Sequence, residues 1–485
     1  MKKLSISGLM VFVLAGCSLA PKYERPFMPI PEHFKEAGTW KKVTAKPRLV
    51  KPDAWWQAFN DPILNDLEAR LTIANQDLRI AFAHYQDAYA LAQVARAALF
   101  PTLQALFNGD RQQNSRTVAN PPTVFVYNQF LAGGYLSYEL DAWGAVRNQI
   151  VATAQTAKAS AADVAAIHLS LHAELASDYF ALRGSDEQQR ILDQTVAAYK
   201  KALYLTQQRH KGGAAPIADV DEAETQLENA KTMAEDMRLN RAQLEHAIAV
   251  LVGEIPSNFS LAPAKLPQKF LAIAPNMPST LLERRPDIVA AEHRVQSANA
   301  SIGVARAAFF PQFNLTGSGG FQSRSLANLI SKPSVFWSIG PLSLLTLIQP
   351  IAEVTVFDGG RLRSLLNQAK ADYFAAVAVY RKSVLTGFQD VEDNLIAMKQ
   401  LDKEHITQDA ATRAAMRAWV QEQYRYKGGL VTFLQVVVAE NTALQAELAS
   451  VNVRTRRQIA SVQLIKALGG GWSFDVTKPK GTKNS

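Results

Sequence analysis

The chain of 485 residues contains one cysteine, so no intrachain disulfide can form and no cysteine pair exists for redox or metal chemistry. Beyond the N-terminal segment no run of eighteen apolar residues occurs, so no stretch reads as a membrane-spanning helix. Apolar residues make up 48% and charged residues 20%, which fits neither a disordered chain nor a polytopic helical membrane protein. The formal charge of +9 is spread along the chain apart from a basic tail (Lys478, Lys480, Lys483). A nucleic-acid partner needs clustered cations, so none is expected. Enzyme signatures are missing too: there is no Walker A loop, no H-E-x-x-H and no G-x-S-x-G. No catalytic residue, metal or dissociable cofactor is therefore expected. The glycines of "GSGGF" (317–321) match no nucleotide fingerprint and read as strand glycines beside a neighbouring chain. His168 and His172, four apart on one helix face, are the best metal candidate, but His168 falls on a packing seam and both read as structural.

What the chain does have is repetition. "VARAALFPT" begins at Val94 and "VARAAFFPQ" at Val304, with seven of the first eight residues shared. "RHKGG" (209–213) answers "RYKGG" (425–429), now at an offset of 216 rather than 210. At 216, Gly144 meets Gly360, Glu224 meets Glu440 and Gly253 meets Gly469. Copy two therefore carries six extra residues between Pro311 and Gly360 and none between Gly360 and Gly429. Insertions settle in adaptable segments, so 144–209 and 360–425 should be rigid.

Periodicity makes the rigid parts helical. A 4-3-4-3 spacing runs through Ile150, Ala154, Ala157, Ala161, Val164, His168, Leu171 and Leu175, and again through Val220, Ala223, Leu227, Ala230 and Ala234. No proline interrupts Gly144 to Gly213, so about 67 residues can form one rod roughly 100 Å long. The adaptable parts alternate as strands do: Phe313, Leu315, Gly317, Gly319 and Phe321 on one face, Gln312, Asn314, Thr316, Ser318 and Gln322 on the other. Return strands are expected at 129–140 and near 343–357. Pro101 and Pro311 mark the helix-to-strand corners.

The N-terminus has its own logic. Lys2 and Lys3 precede a short apolar core (Leu9–Leu14) and then Leu14-Ala15-Gly16-Cys17. The tetrad resembles a bacterial lipobox, in which the cysteine becomes the acylated first mature residue. Ser18 resembles the sorting pattern of outer-membrane lipoproteins.

Strands of about ten residues with one apolar face suit a membrane β-barrel, yet four cannot close one and an open edge is not tolerated in hydrocarbon. Four strings carry a resemblance: "LLERRPDIVAAEHRVQSANASIGVARAAFFPQFNL" (281–315), "WWQAFNDPILNDL" (55–67), "FDGGRLR" (357–363) and "ALGGGW" (467–472). They are similar to TolC-like outer-membrane efflux lipoproteins of the NodT type. The resemblance implies a mainly α protomer, tandemly duplicated. Four strands per chain would build a trimeric twelve-stranded barrel, continued by a long periplasmic helical barrel. It implies a signal peptide at 1–16, an N-terminal extension at 17–62, repeats at 63–280 and 281–472, and a basic tail at 473–485. The expected function is a passive duct exporting drugs, toxic compounds or metals. Its partners would be a periplasmic adaptor, an inner-membrane pump of the RND type, and outer-membrane lipid. A type I protein secretion channel and a periplasmic adaptor lipoprotein stand as alternatives, the second opposed by the duplicated strand pairs.

Gly212-Gly213 and Gly428-Gly429 provide the positive φ a tight helix–helix turn needs, which is a sufficient structural reason for them. By resemblance the same turns are periplasmic tips where adaptors dock and the tube constricts. The resemblance assigns Asp219 and Tyr426 to a closed-gate network. However, Val431 stands where relatives often carry a cation, and Gln435 and Val438 stand at acidic positions. Closure is expected to rest more on apolar packing by Leu430, Val431, Phe433 and Leu434 than on a charged latch.

Overall fold

The structure is a computed structural model that describes residues 18–37, 54–117, 123–124, 126–268, 270, 284–340 and 352–470. The signal peptide, Cys17, the basic tail and residues 341–351 lie outside the described residues. The elements run α1 (Pro62–Ala74), α2 (Gln76–Ala97), β1 (Thr102–Gln113), β2 (Val126–Leu140), α3 (Ala145–Lys211) and α4 (Ile217–Leu251). They continue as α5 (Pro286–Ala307), β3 (Gln312–Ser323), β4 (Val335–Ile339), β5 (Ala352–Glu353), α6 (Arg361–Lys427) and α7 (Phe433–Ala467).

The two copies agree in length element by element. Helices α3 and α6 each have 67 residues, α4 and α7 each 35, α2 and α5 each 22, and β1 and β3 each 12. Among the described elements that have a counterpart, the difference lies in the return strand. β2 is one run of 15 residues, whereas the described residues of its counterpart are β4 and β5, on either side of residues 341–351 and both paired to β3. The return strand expected near 343–357 starts earlier, at Val335. Val335-Phe336-Trp337 is a β-branched and aromatic run, and it takes up pairing with Phe321 to Gly319 as soon as the loop permits.

Two compact units arise. The first comprises the described residues up to Pro26, His84–Ser160 and Ala291–Tyr380. It holds an antiparallel sheet in the order β1-β2-β3-β4. The two helix-to-strand corners that lead into the sheet are alike. Phe100 N–H donates to Ala97 O and Phe310 N–H to Ala307 O, each at 3.0 Å, so each helix tightens before Pro101 or Pro311. Trp143 Nε1 then donates to Pro311 O at 2.8 Å and packs on Phe310. The register sorts the sheet into two chemistries. One face carries Leu103, Ala105, Phe107, Phe130, Ala132, Leu136, Phe313, Leu315, Phe321, Trp337 and Ile339. The other is richer in polar groups, carrying Gln104, Asn108, Asp110, Gln129, Ser137, Asn314, Thr316, Ser318 and Gln322 with Leu106, Leu131, Tyr135 and Phe336 among them. At the β2–β3 crossing a Cβ on Gly133 would lie 2.6 Å from Gly319 O, so the tight approach there needs glycine.

The second unit comprises Phe27–Ala83, Ala161–Ala290 and the described residues of Arg381–Ser485. Its main core joins Trp55, Trp56, Leu64, Leu67 and Leu71 to Leu171, Leu175, Phe180, Ile248 and Val462. The α4 seam read from the sequence is buried at Val220, Ala223, Leu227, Ala230, Ala234 and Ile248. Along α3 it is buried at Ala157, Leu171 and Leu175 and half-buried at the other five positions. Smaller clusters follow the hairpins outward, ending in Ala223, Phe433 and Val437.

Candidate functional site

The two tip turns have the same hydrogen bonding. After α3, Gly213 takes φ +75°, its N–H donates to His210 O (2.8 Å), and Ala214 N–H reaches back to Arg209 O (2.8 Å). After α6, Gly429 takes φ +74°, its N–H donates to Tyr426 O (3.0 Å), and Leu430 N–H reaches Arg425 O (2.9 Å). Each is a Schellman closure that satisfies the last helical carbonyls and needs the left-handed residue. Of each glycine pair only the second has positive φ; Gly212 and Gly428 continue the helical winding. Pro216 and Thr432, both in extended conformation, then occupy the N-cap positions of α4 and α7 without a side-chain capping bond.

Between these turns three side chains from three helices meet, with Asp219 of α4 near enough to be felt electrostatically. Tyr426 packs on Phe433 with centroids 5.5 Å apart. The Arg209 guanidinium lies over the Tyr426 ring, 4.8 Å from its centroid. Burial pushes the Tyr426 hydroxyl up, with Arg209 opposing and Asp219 adding to the rise. The hydroxyl itself is buried without a hydrogen-bond partner among the described residues. Phe433 is buried against Ala223, Val437 and Leu203. The expected gate residues thus divide. Tyr426 and Phe433 come together with Asp219 acting on them electrostatically, Val431 is half-buried, and Leu430 and Leu434 are 74% and 56% exposed, outside the buried cluster. Arg209 is not visible to a pattern that places the cation at position 431, after the other turn. The string "RHKGG" nevertheless contains it.

His168 and His172 also come together, in the core of the second unit. His172 is fully buried, stacked on Trp56 with centroids 4.3 Å apart, and its Nδ1 contacts the Glu68 carboxyl. Its Nε2 faces His168 Nε2 at 3.0 Å. Burial pushes Glu68 well above the usual carboxylate range; burial, then His168, pushes His172 down to about 3. A neutral acid donating from Oε2 to a neutral imidazole avoids a buried charge on either group, and His172 Nε2 then donates to His168, while Glu68 Oε1 is left without a partner among the described residues. Among the described residues no group of three or more His, Cys, Asp and Glu side chains could hold a metal ion. Glu68, the partner that makes this pair buriable, carries no signal in the sequence.

Comparison with known proteins puts these features in a family. The model for the outer membrane efflux protein family matches residues 69–254 and 277–470, one match per copy. The chain is 34% identical to outer membrane protein OprJ of Pseudomonas aeruginosa, covering 96% of both chains. It is 30% identical to "Probable outer membrane lipoprotein SilC" of Salmonella typhimurium, covering 97% of this chain and 99% of that one. Among solved structures it is similar to the CmeC outer membrane channel of Campylobacter jejuni, with TM-score 0.88, 26% identity and coverage of 94% and 96%. Such matches extend over nearly the whole length and both copies. The chain belongs to the outer membrane efflux protein family, whose members are outer-membrane efflux components and not enzymes.

Proposed function

We propose that three copies of this chain close a twelve-stranded barrel in the outer membrane and continue it as a helical duct into the periplasm. Through it small molecules (drugs, toxic compounds or metals) pass without energy input from this chain. The observation that carries the reading is the four-strand path with one apolar face, one face richer in polar groups, and an outer edge at β1. An apolar face suits lipid, a polar face suits an aqueous lumen, and the edges suit strands of further copies. The driving pump, of the RND type, and the adaptor are separate proteins. The adaptor docks at the turns of Gly212-Gly213 and Gly428-Gly429, and the duct closes there through Asp219, Tyr426, Leu430, Val431, Phe433 and Leu434.

Cys17 carries the lipid. In support, residues 18–25 lie along α5 toward the helix–strand corner. Arg25 and Tyr23 contact Glu292, Asn299 Nδ2 donates to Pro21 O (2.8 Å), Arg306 donates to Leu19 O (3.2 Å), and Ser18 Oγ donates to Asn148 (2.9 Å). Asn148 lies one turn beyond Gly144, where the sheet gives way to helix. An acyl chain on the residue before Ser18 would enter the leaflet at that corner.

The test is the size and conductance of the detergent-solubilised, lipid-labelled protein. A trimer that dissociates only on heating, and forms pores in planar bilayers, is expected. A stable folded monomer would overturn the reading.

A further inference from the structure

We propose that Arg209 is the latch of the tip, holding the first helical hairpin to the second by stacking on the ring of Tyr426. The inference rests on the reading that the duct closes at these turns. Arg209 lies in the last turn of α3 and Tyr426 in the last turn of α6, so their contact joins the two hairpins. Both backbones are pinned, since Arg209 O accepts from Ala214 N–H and Tyr426 O from Gly429 N–H. The ring is backed by Phe433 on α7. The guanidinium lies beside the Tyr426 hydroxyl as well, but no bond of hydrogen-bond geometry forms there, so the ring face 4.8 Å away carries the contact.

The duplication explains why this arginine is available. Its repeat mate is Arg425, which pairs at 2.7 Å with Glu422 one turn back on its own helix. The position equivalent to Glu422 in the first copy is Thr206, whose hydroxyl donates to Ala202 O. No carboxylate there holds Arg209 to its own helix. The repeat mate of Tyr426 is His210, which bonds Ala215 O within its own turn. Lys427 lies over Tyr424 on the same helix. The contact therefore runs one way only, from the first hairpin to the second. With valine at 431, the cation is supplied from the opposite turn. A guanidinium stays charged across the physiological range, and a stacked contact is less open to salt screening than a solvated ion pair.

The test is resting open fraction in planar bilayers, using the full lipidated protein with trimer yield as the folding control. Arg209 is exposed, so Arg209→Gln should assemble normally. Arg209→Gln and Tyr426→Leu should each raise the open fraction by about 2- to 5-fold, because each removes the same stacked pair, and the double variant should raise it no further. Tyr426→Phe should leave it unchanged, as should raising the salt tenfold with the parent protein. The proposal falls if Arg209→Gln stays closed, or if Tyr426→Phe opens as far as Tyr426→Leu. Leu430→Ser with Val431→Ser separates the latch from the gate it serves. If that variant opens and Arg209→Gln does not, the tip closes without Arg209. If none of the variants opens, closure is not at the tip, and both readings fail.

Discussion

Placing an arginine at Phe107 should cost more than placing one almost anywhere else on the sheet, and the register says why. Phe107 lies on the apolar face, directly opposite Ala132, and is 82% exposed in one chain. It stands five residues from Thr102, about 17 Å along the strand. At a tilt of about 40° that is about 13 Å of height, half of an apolar band about 25 Å tall. A charge at that depth costs about 2–4 kcal/mol. Phe313 shares the face but is the second residue of β3, opposite Leu140, so Phe313→Arg falls near the interface and should cost about 0–1 kcal/mol. Asn108 is Phe107's neighbour on the polar face, opposite Leu131, and Asn108→Arg should be tolerated in an aqueous lumen. The assay is urea-dependent folding into bilayers, read as the heat-modifiable trimer. The expected order of loss is Phe107→Arg well above Phe313→Arg, with Asn108→Arg least. If Asn108→Arg proves as damaging as Phe107→Arg, the two faces have been assigned to the wrong solvents. If Phe313→Arg proves worst, the depth scale is wrong.

Three further outcomes can be checked. Cys17→Ala should lose labelling by a lipid precursor while the protein remains in the outer-membrane fraction, because the strands are a second anchor. Gly133→Val should abolish trimer formation, since its Cβ would meet Gly319 O, whereas Gly134→Ala, whose nearest neighbour is 3.6 Å away, should assemble normally. His172, held down to about 3, contributes stability that is complete above its ordinary value of 6.5 and is lost as pH falls toward 3. Glu68, held up, contributes stability present at low pH and lost as pH rises through its raised value. Between pH 6.5 and 4.5 the two act in opposite directions, so the parent's thermal midpoint should change little there, whereas His172→Gln, left with the Glu68 contribution alone, should gain stability on acidification.

Length and period are legible in this chain because they are repeated. A helix that must match its copy cannot change length without changing both, so the offset of 216 between "RHKGG" and "RYKGG" already implies the equal helices α3 and α6. Alternation in 312–322 likewise assigns the faces of β3, since period two admits only one assignment. The return strand is harder to read. The six added residues fall in that segment, so the repeat offers no template for where pairing starts, and only the structure places it at Val335. Buried polar pairs are illegible for a different reason. Glu68 and His172 are 104 residues apart, and nothing in either neighbourhood reveals that one makes the other buriable.

The tip combines both situations. Its backbone is faithfully duplicated, with matching bonds at Gly213 and Gly429. Its side chains are not: the first turns of α4 carry Asp219, Asp221, Glu222 and Glu224, whereas those of α7 carry Phe433, Leu434, Val436, Val437 and Val438. A pattern drawn along one copy looks for a cation at a fixed place and finds Val431. The structure instead puts Arg209 over Tyr426, because Glu422 has Thr206 as its counterpart and only one of the two equivalent arginines is held to its own helix. Identical turns thus bring non-identical residues to the same end of the molecule. Divergence between copies, not conservation of either, supplies the contact that joins the two hairpins.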